Sequence, residues 1–322
     1  MMRIALVALV SALAVAIGPA AAQDDFPSKP ITIIVPTPPG GGVDIVHRLI
    51  GELAEPILGQ KVIVENKPGA SGTIGLAELA SSEPDGYTLA AVWNAPLTIA
   101  PHTLTIPYDV NDFTMVTQTT GGTPLIFCVG PDFPAENGME FVEYVRAHPS
   151  ELTYGTDGVG ALVQLSGERL FSPLGLKLRA VPFGGAGETL QNFLGGHIDI
   201  YGGTIPPIAA QLEEGKAKCL ITTADEPVAA LPAAASAADL GLADNATELW
   251  RGLIAPHGTP PDRLAKLANA FQQAAEMPKF QEYLEKSGEH AVFNTPDEFS
   301  ALVTAESAAF ADVVKEIGLT KQ

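Results

Sequence analysis

Short apolar runs and runs of helical spacing take turns along most of this chain. The first, Ile31 to Val35, is apolar and β-branched and predicts a buried strand. Three consecutive glycines, Gly40 to Gly42, separate it from Val46, Leu49, Ile50, Leu53 and Ile57, which recur on one face of a helix. Further strands are predicted over 61–66, 86–94, 123–130, 152–156 and 178–183, interleaved with helices over 73–80, 139–147 and 162–171. "GETLQNFLGG", the short strand "HIDIYG" and, after another helix, "KAKCLITTA" continue the alternation. Such an order predicts an α/β protein with mostly parallel sheets. The C-terminal part changes character. "PPDRLAKLANAFQQAAEM", "PKFQEYLEKSG" and "PDEFSALVTAESAAFADVVKEIG" read as helices opening at Pro or Pro-Asp, with Asp262 and Asp297 in first turns.

The N-terminus departs from this pattern. Met1 to Arg3 is short and basic, Ile4 to Ile17 is apolar, and "GPAAAQ" ends in small residues. That predicts an export signal over residues 1–22, cleaved near Ala22, and hence a periplasmic mature protein. Removing Arg3 with the signal leaves 17 basic residues against 37 acidic, a net −20. Nucleic acid and anionic membrane surfaces are poor partners for such a charge. Cys128 and Cys219 both lie in apolar runs, so buried free thiols are expected, with a single bridge as the alternative. No low-complexity linker divides the chain, which predicts two lobes that the backbone crosses more than once.

The glycines of the first strand–helix junction belong to a repeated design. "IVPTPPGGGVD", "LTYGTDGVGALVQ" and "VPFGGAGETL" each put a small-residue loop between a strand and an amphipathic helix. Loops of this kind, at the carboxyl ends of strands, present backbone N–H groups and a helix N-terminus suited to a carboxylate. The familiar nucleotide motifs do not fit. "PPGGGVD" lacks the Gly-Lys-Ser/Thr ending of a phosphate loop, and its glycine spacing fails the dinucleotide fingerprint. Among side chains, Asp44 is expected to serve the helix dipole, with a contact to a ligand hydroxyl or ammonium as the alternative. His47 is expected to pack and Trp93 to be core, while Asn94 is divided between pocket and interior. The six histidines form no short-spaced metal pair, and Ser71 in "GASGT" lacks the last glycine of a nucleophile elbow. No catalytic residue, metal site or cofactor is therefore assigned.

"KPITIIVPTPPGGGVDIVHRLI", "VIVENKPGASGTIG", "PDGYTLA", "DFTMVTQ", "LTYGTDGVG", "VPFGGAGETLQNFLGGHID" and "GLIAPHGTPPDRLAKL" occur in this order. From about Pro27 to the C-terminus the chain resembles the Bug family, exported solute receptors of tripartite tricarboxylate transporters. The resemblance implies a periplasmic-binding-protein type II fold, two α/β lobes around a central ligand cleft. With the alternation, it places 26–123 and 247–322 in lobe one and 124–246 in lobe two. It implies a monomeric receptor that grips one carboxylate with backbone amides and serves a cognate membrane transporter. The residues it points to are Thr37, Pro39, Gly40, Gly41, Gly42 and Asp44 in the first loop, and Thr156, Asp157, Gly158, Val159, Gly160 and Ala161 in the second. Asn94, Phe183, Gly185 and Thr204 follow other strand ends. Three positions depart from the family pattern: Gln164 replaces a common His, "VPFGG" replaces Val-Pro-Tyr-Lys-Gly, and "ADEP" replaces an Arg after "TTA". Loss of the Tyr and Lys predicts a less cationic distal pocket and a more apolar or larger acid than citrate. A receptor presenting its ligand to a sensor kinase shares this chemistry, and a secreted hydrolase or lyase is disfavoured by the missing nucleophile–base pair.

Overall fold

The computed structural model describes residues 25–287 and 289–321; the expected export signal lies outside them. Its strands are β1 Ile31–Val35, β2 Val62–Asn66, β3 Thr88–Trp93, β4 Phe113–Pro124, β5 Ile126–Val129 and β6 Thr153–Thr156. β7 Arg179–Pro182, β8 Ile200–Gly203, β9 Lys218–Thr222, β10 Glu248–Pro256 and β11 His290–Ala291 follow. The helices are α1 Gly42–Leu58, α2 Thr73–Ala80, α3 Ala100–Thr103, α4 Gly138–Ala147 and α5 Leu162–Phe171, then α6 Ala186–Leu194, α7 Ile205–Glu213, α8 Pro261–Ala275, α9 Pro278–Ser287 and α10 Pro296–Glu316. Two sheets result, a six-stranded one in the order β11-β4-β10-β3-β1-β2 and a five-stranded one in the order β7-β6-β8-β5-β9.

The expectation of mostly parallel sheets is corrected. β1–β2, β1–β3, β6–β7 and β6–β8 are parallel, while the five pairings made by β4, β5, β9, β10 and β11 are antiparallel. β4 carries the reason. Its sequence "FTMVTQTTGGTP" is buried almost throughout, yet threonines and a glutamine stand where an apolar run is sought. Thr117, Gln118, Thr119 and Thr120 are buried polar residues at the centre of a sheet, where strand pairing satisfies their backbone groups.

The antiparallel strands decide where the cleft lies. β10 enters the first sheet beside the carboxyl end of β3, with Arg251 opposite Trp93, and β4 leaves it at the same edge, with Pro124 opposite Glu248. In the second sheet, Ile126 at the start of β5 lies opposite Gly203 at the end of β8 and Thr222 at the end of β9. The two crossings are stitched together. Thr223 Oγ1 accepts from the Leu125 N–H at 2.9 Å and donates to the Thr247 carbonyl, and the Thr247 N–H donates to the Thr223 carbonyl at 2.9 Å. Both crossings therefore join the carboxyl-end edges of the parallel strands in the two sheets.

Each sheet has its own core. α1 buries Val43, Val46, Ile50, Ala54 and Leu58 with α8 on the first sheet and stops at Gly59, whose φ of +69° suits the helix end. α10 spans both. Phe299 and Val303 pack with the first sheet, whereas Phe310, Val313 and Val314 belong to the core of the second. Between them Glu306 is half-buried, accepting from Asn94 at 2.7 Å, Thr98 at 2.9 Å and the Trp250 indole at 3.1 Å. The cysteines are also corrected from the free-thiol expectation. Cys128 and Cys219, 91 residues apart, stand opposite each other on β5 and β9 and form a buried disulfide. Strand pairing, invisible in the local pattern, brought them into register.

Candidate functional site

The three glycine loops follow β1, β6 and β7, so all stand at the carboxyl ends of parallel strands. They also share a lock. In each, the glycine two residues before the helix donates its N–H to a side chain in the first turn: Gly40 to Asp44 Oδ2 at 2.9 Å, Gly160 to Gln164 Oε1 at 2.8 Å, and Gly184 to Glu188 Oε2 at 2.8 Å. Gly40 has φ of +84° and Gly160 of +66°, conformations that a side chain would strain. The residue at the helix start itself, Gly41, Ala161 or Gly185, supplies no capping side chain. Away from the cleft, α4 and α10 are capped by Asn137 and Thr295 in the ordinary way. The N–H groups of Gly41 and Ala161 make only long contacts, 3.5 Å to Pro38 O and 3.4 Å to Gly158 O. These are weak geometries, and leave donors at two helix N-termini free to meet an acceptor.

Asp44 is buried and fully engaged. Besides Gly40, it accepts from Arg48 Nε at 2.9 Å and Asn66 Nδ2 at 2.8 Å, and Asn66 also donates to the Thr37 carbonyl at 2.9 Å. Burial opposes its charge, but these bonds more than offset that and hold its carboxyl below the usual range. Asp44 is thus the clamp of the first loop. Thr37 Oγ1 is buried with no partner among the described residues, while Pro39 is exposed. His47 is fully buried, its Nδ1 bonded to the Val43 carbonyl at 2.7 Å; burial first, and the Arg251 charge in addition, push its pKa down to about 4. Its imidazole is neutral and serves packing.

The second loop adds a different carboxylate. Asp157 Oδ1 accepts from the Val163 N–H at 3.0 Å, in the first turn of α5. Asp157 keeps accessible surface although protein surrounds it closely, as for a residue on a concave wall. Desolvation pushes its carboxyl up to about 6, with the Val163 bond working against the shift. Beside it, Val159 exposes 54% of its surface, Thr156 is buried, and Gly158, Gly160 and Ala161 complete the turn. Loop two approaches the other lobe directly, since a Cβ on Gly160 would lie 3.1 Å from Thr103 Cγ2. Phe183 is half-buried and ties its N–H to the Thr156 carbonyl at 3.0 Å, joining loops two and three, and Gly185 is partly accessible. The Thr204 carbonyl accepts from Tyr201 at 3.3 Å.

Asn94 follows β3. It is fully buried, donating to Glu248 O and Glu306 while accepting from the Trp250 N–H at 3.1 Å, so its amide is occupied beside the first sheet. A cavity of about 530 Å3 lies on this side of the crossings, lined by Arg169, Glu248, Trp250, His290 and Glu306, and no glycine-loop residue borders it. Two features escaped the pattern of the sequence. The turn after β2 puts Ala70 and Ser71 at φ of 45° and 54°, on the same edge as loop one. Arg251 is the one basic residue of β10, and only strand pairing shows where it lies.

A model of the tripartite tricarboxylate transporter family receptor matches residues 46–319. The UPF0065 protein in the gbd 5' region of Cupriavidus necator is 34% identical over 99% of this chain and 97% of its own. Among solved structures, the periplasmic binding protein BugD is 30% identical with a TM-score of 0.74, over 92% of this chain and 100% of that one. MatC of Rhodopseudomonas palustris, with bound malate, is 31% identical with a TM-score of 0.73, over 90% and 100%. With such matches along nearly its whole length, the chain belongs to the family of tripartite tricarboxylate transporter receptors.

Proposed function

We propose that this protein is an extracytoplasmic receptor that captures a small organic carboxylate between its lobes and hands it to a tripartite membrane transporter. The observation that carries the reading is the pair of helix N-termini, at Gly41 and Ala161, whose N-cap residues supply no capping side chain and which follow parallel strands of the two sheets. An anion there would accept from the Gly41 and Ala161 amides, which make only long contacts, and would interact favourably with both dipoles. MatC, similar in sequence and fold, holds malate, which supports a carboxylate as the ligand class. The residues proposed to line the site are those of loops one and two, with Phe183, Gly185 and Thr204 bounding the distal side. Asn94 is proposed to hold the crossing strands instead of touching ligand.

A thermal-shift panel of mono-, di-, tri- and aromatic carboxylates tests the reading. A true ligand at 100 times its dissociation constant stabilises the fold by about 2.7 kcal/mol, a shift of several degrees. A panel with no stabilising acid would refute a carboxylate receptor.

A further inference from the structure

Strand β10 carries one basic residue, Arg251, flanked by apolar positions. Arg251 is 5% exposed and directly opposite Trp93 at the carboxyl end of β3. Its Nη1 donates to Thr120 Oγ1 at 3.3 Å and to Glu289 in a buried ion pair. The other edge of the guanidinium is unsatisfied. Nε is buried with no acceptor among the described residues, and the side-chain hydrogen bonds of Arg251 to Thr120 and Glu289 both use Nη1, not Nη2. That edge points at loop one: a Cβ added to Gly42 would lie 2.9 Å from Nη2. Gly42 is the first residue of α1, whose 17 residues end here in an uncapped, anion-favouring terminus. A buried guanidinium with free donors is costly to maintain, and an oxyanion at the helix start would satisfy it.

We propose, resting on the receptor reading above, that Arg251 is the fixed cation of the carboxylate site. Its Nη2 edge acts with the loop-one amides on one ligand carboxylate, and Glu289 sets how much of its charge the ligand feels. The site then suits a single carboxylate at this end, because Glu289 already balances the arginine and Asp44 lies behind the same loop. Gly42 is small so that the guanidinium can lie against the helix start.

Acetate, the smallest carboxylate, probes this point directly. It is titrated into the full mature protein while the backbone amide NMR signals of Gly41, Gly42 and Val43 are followed. Wild type should show saturable shifts at these amides. Glu289→Gln, which frees the arginine's charge, should tighten acetate binding about threefold or more. Arg251→Gln with Glu289→Gln removes both charges, leaves no buried unpaired ion, and should weaken binding at least tenfold. Arg251→Lys with Glu289 intact should recover part of the affinity. A double variant that binds like wild type, a Glu289→Gln variant that binds more weakly, or wild-type loop-one amides that ignore acetate would each overturn the proposal. The last result would leave the receptor reading to the carboxylate panel, which uses larger acids and reports binding anywhere in the cleft.

Discussion

Asp157 holds a carboxyl at the helix start where an anionic ligand would compete with it. Because its folded pKa is raised to about 6 from 3.8, the native state binds the proton more tightly than the unfolded chain. Its contribution to stability is therefore most favourable at low pH and is lost as pH rises from about 4 through 6. Screening through the cleft trims the size of this effect, since the group is accessible. Asp157→Asn keeps an oxygen for the Val163 N–H and removes the charge. The variant should melt higher than wild type at pH 8, and the two should converge near pH 4 in thermal scans. A second test at this scale concerns Gly41, whose φ of −75° and ψ of 161° any residue can adopt. An added Cβ there meets nothing closer than Pro38 O at 3.6 Å. Gly41→Val should fold with little change in melting temperature yet lose at least tenfold in carboxylate affinity by calorimetry, because the branched side chain covers the amides. Gly40→Ala is the contrast, costing about 1–2 kcal/mol through its positive φ.

Among elements, α10 has the most consequence for motion. It starts on the first sheet under a capping box at Thr295 and Glu298 and finishes inside the core of the second. Arg169 of α5 reaches the Asp244 and Ala246 carbonyls and stacks its guanidinium 5.7 Å from the Phe310 ring. The threonine-stitched crossings and this helix both tie the two sheets together. Phe310 is fully buried, so Phe310→Ala should cost about 3–5 kcal/mol by the usual truncation of a buried aromatic. Denaturant unfolding measures that loss, and a change below 1 kcal/mol would show that the helix end is not anchored.

At the scale of the molecule, the cleft must bind an anion within a chain of formal charge −19. Carboxylates clamp or cap all three loops, through Asp44, Asp157 and Glu188. Loop three places Glu188 against Gly184 where the family pattern has a lysine. A tricarboxylate would bring at least one charge to a wall with no cation to pair it, at a cost of several kcal/mol. Malate or a monoanionic aromatic acid should therefore bind more tightly than citrate in the same calorimetric panel. Citrate as the tightest ligand would reverse this account of the distal wall.

Order along the chain was enough to predict α2, α4 and α5 nearly to the residue, because a 3.6-residue period and small-residue breaks are local properties. It also marked the three loops, since a glycine stretch between a strand and a helix needs no partner to be recognised. β4 and β10 escaped it. Buried threonines and an arginine satisfied by neighbouring strands resemble exposed residues until those neighbours are in place. The disulfide, the mixed direction of the sheets, the burial of Asn94 and the approach of Arg251 to Gly42 all depend on register between segments far apart in sequence. Those pairings are set by tertiary contact, which no local periodicity encodes.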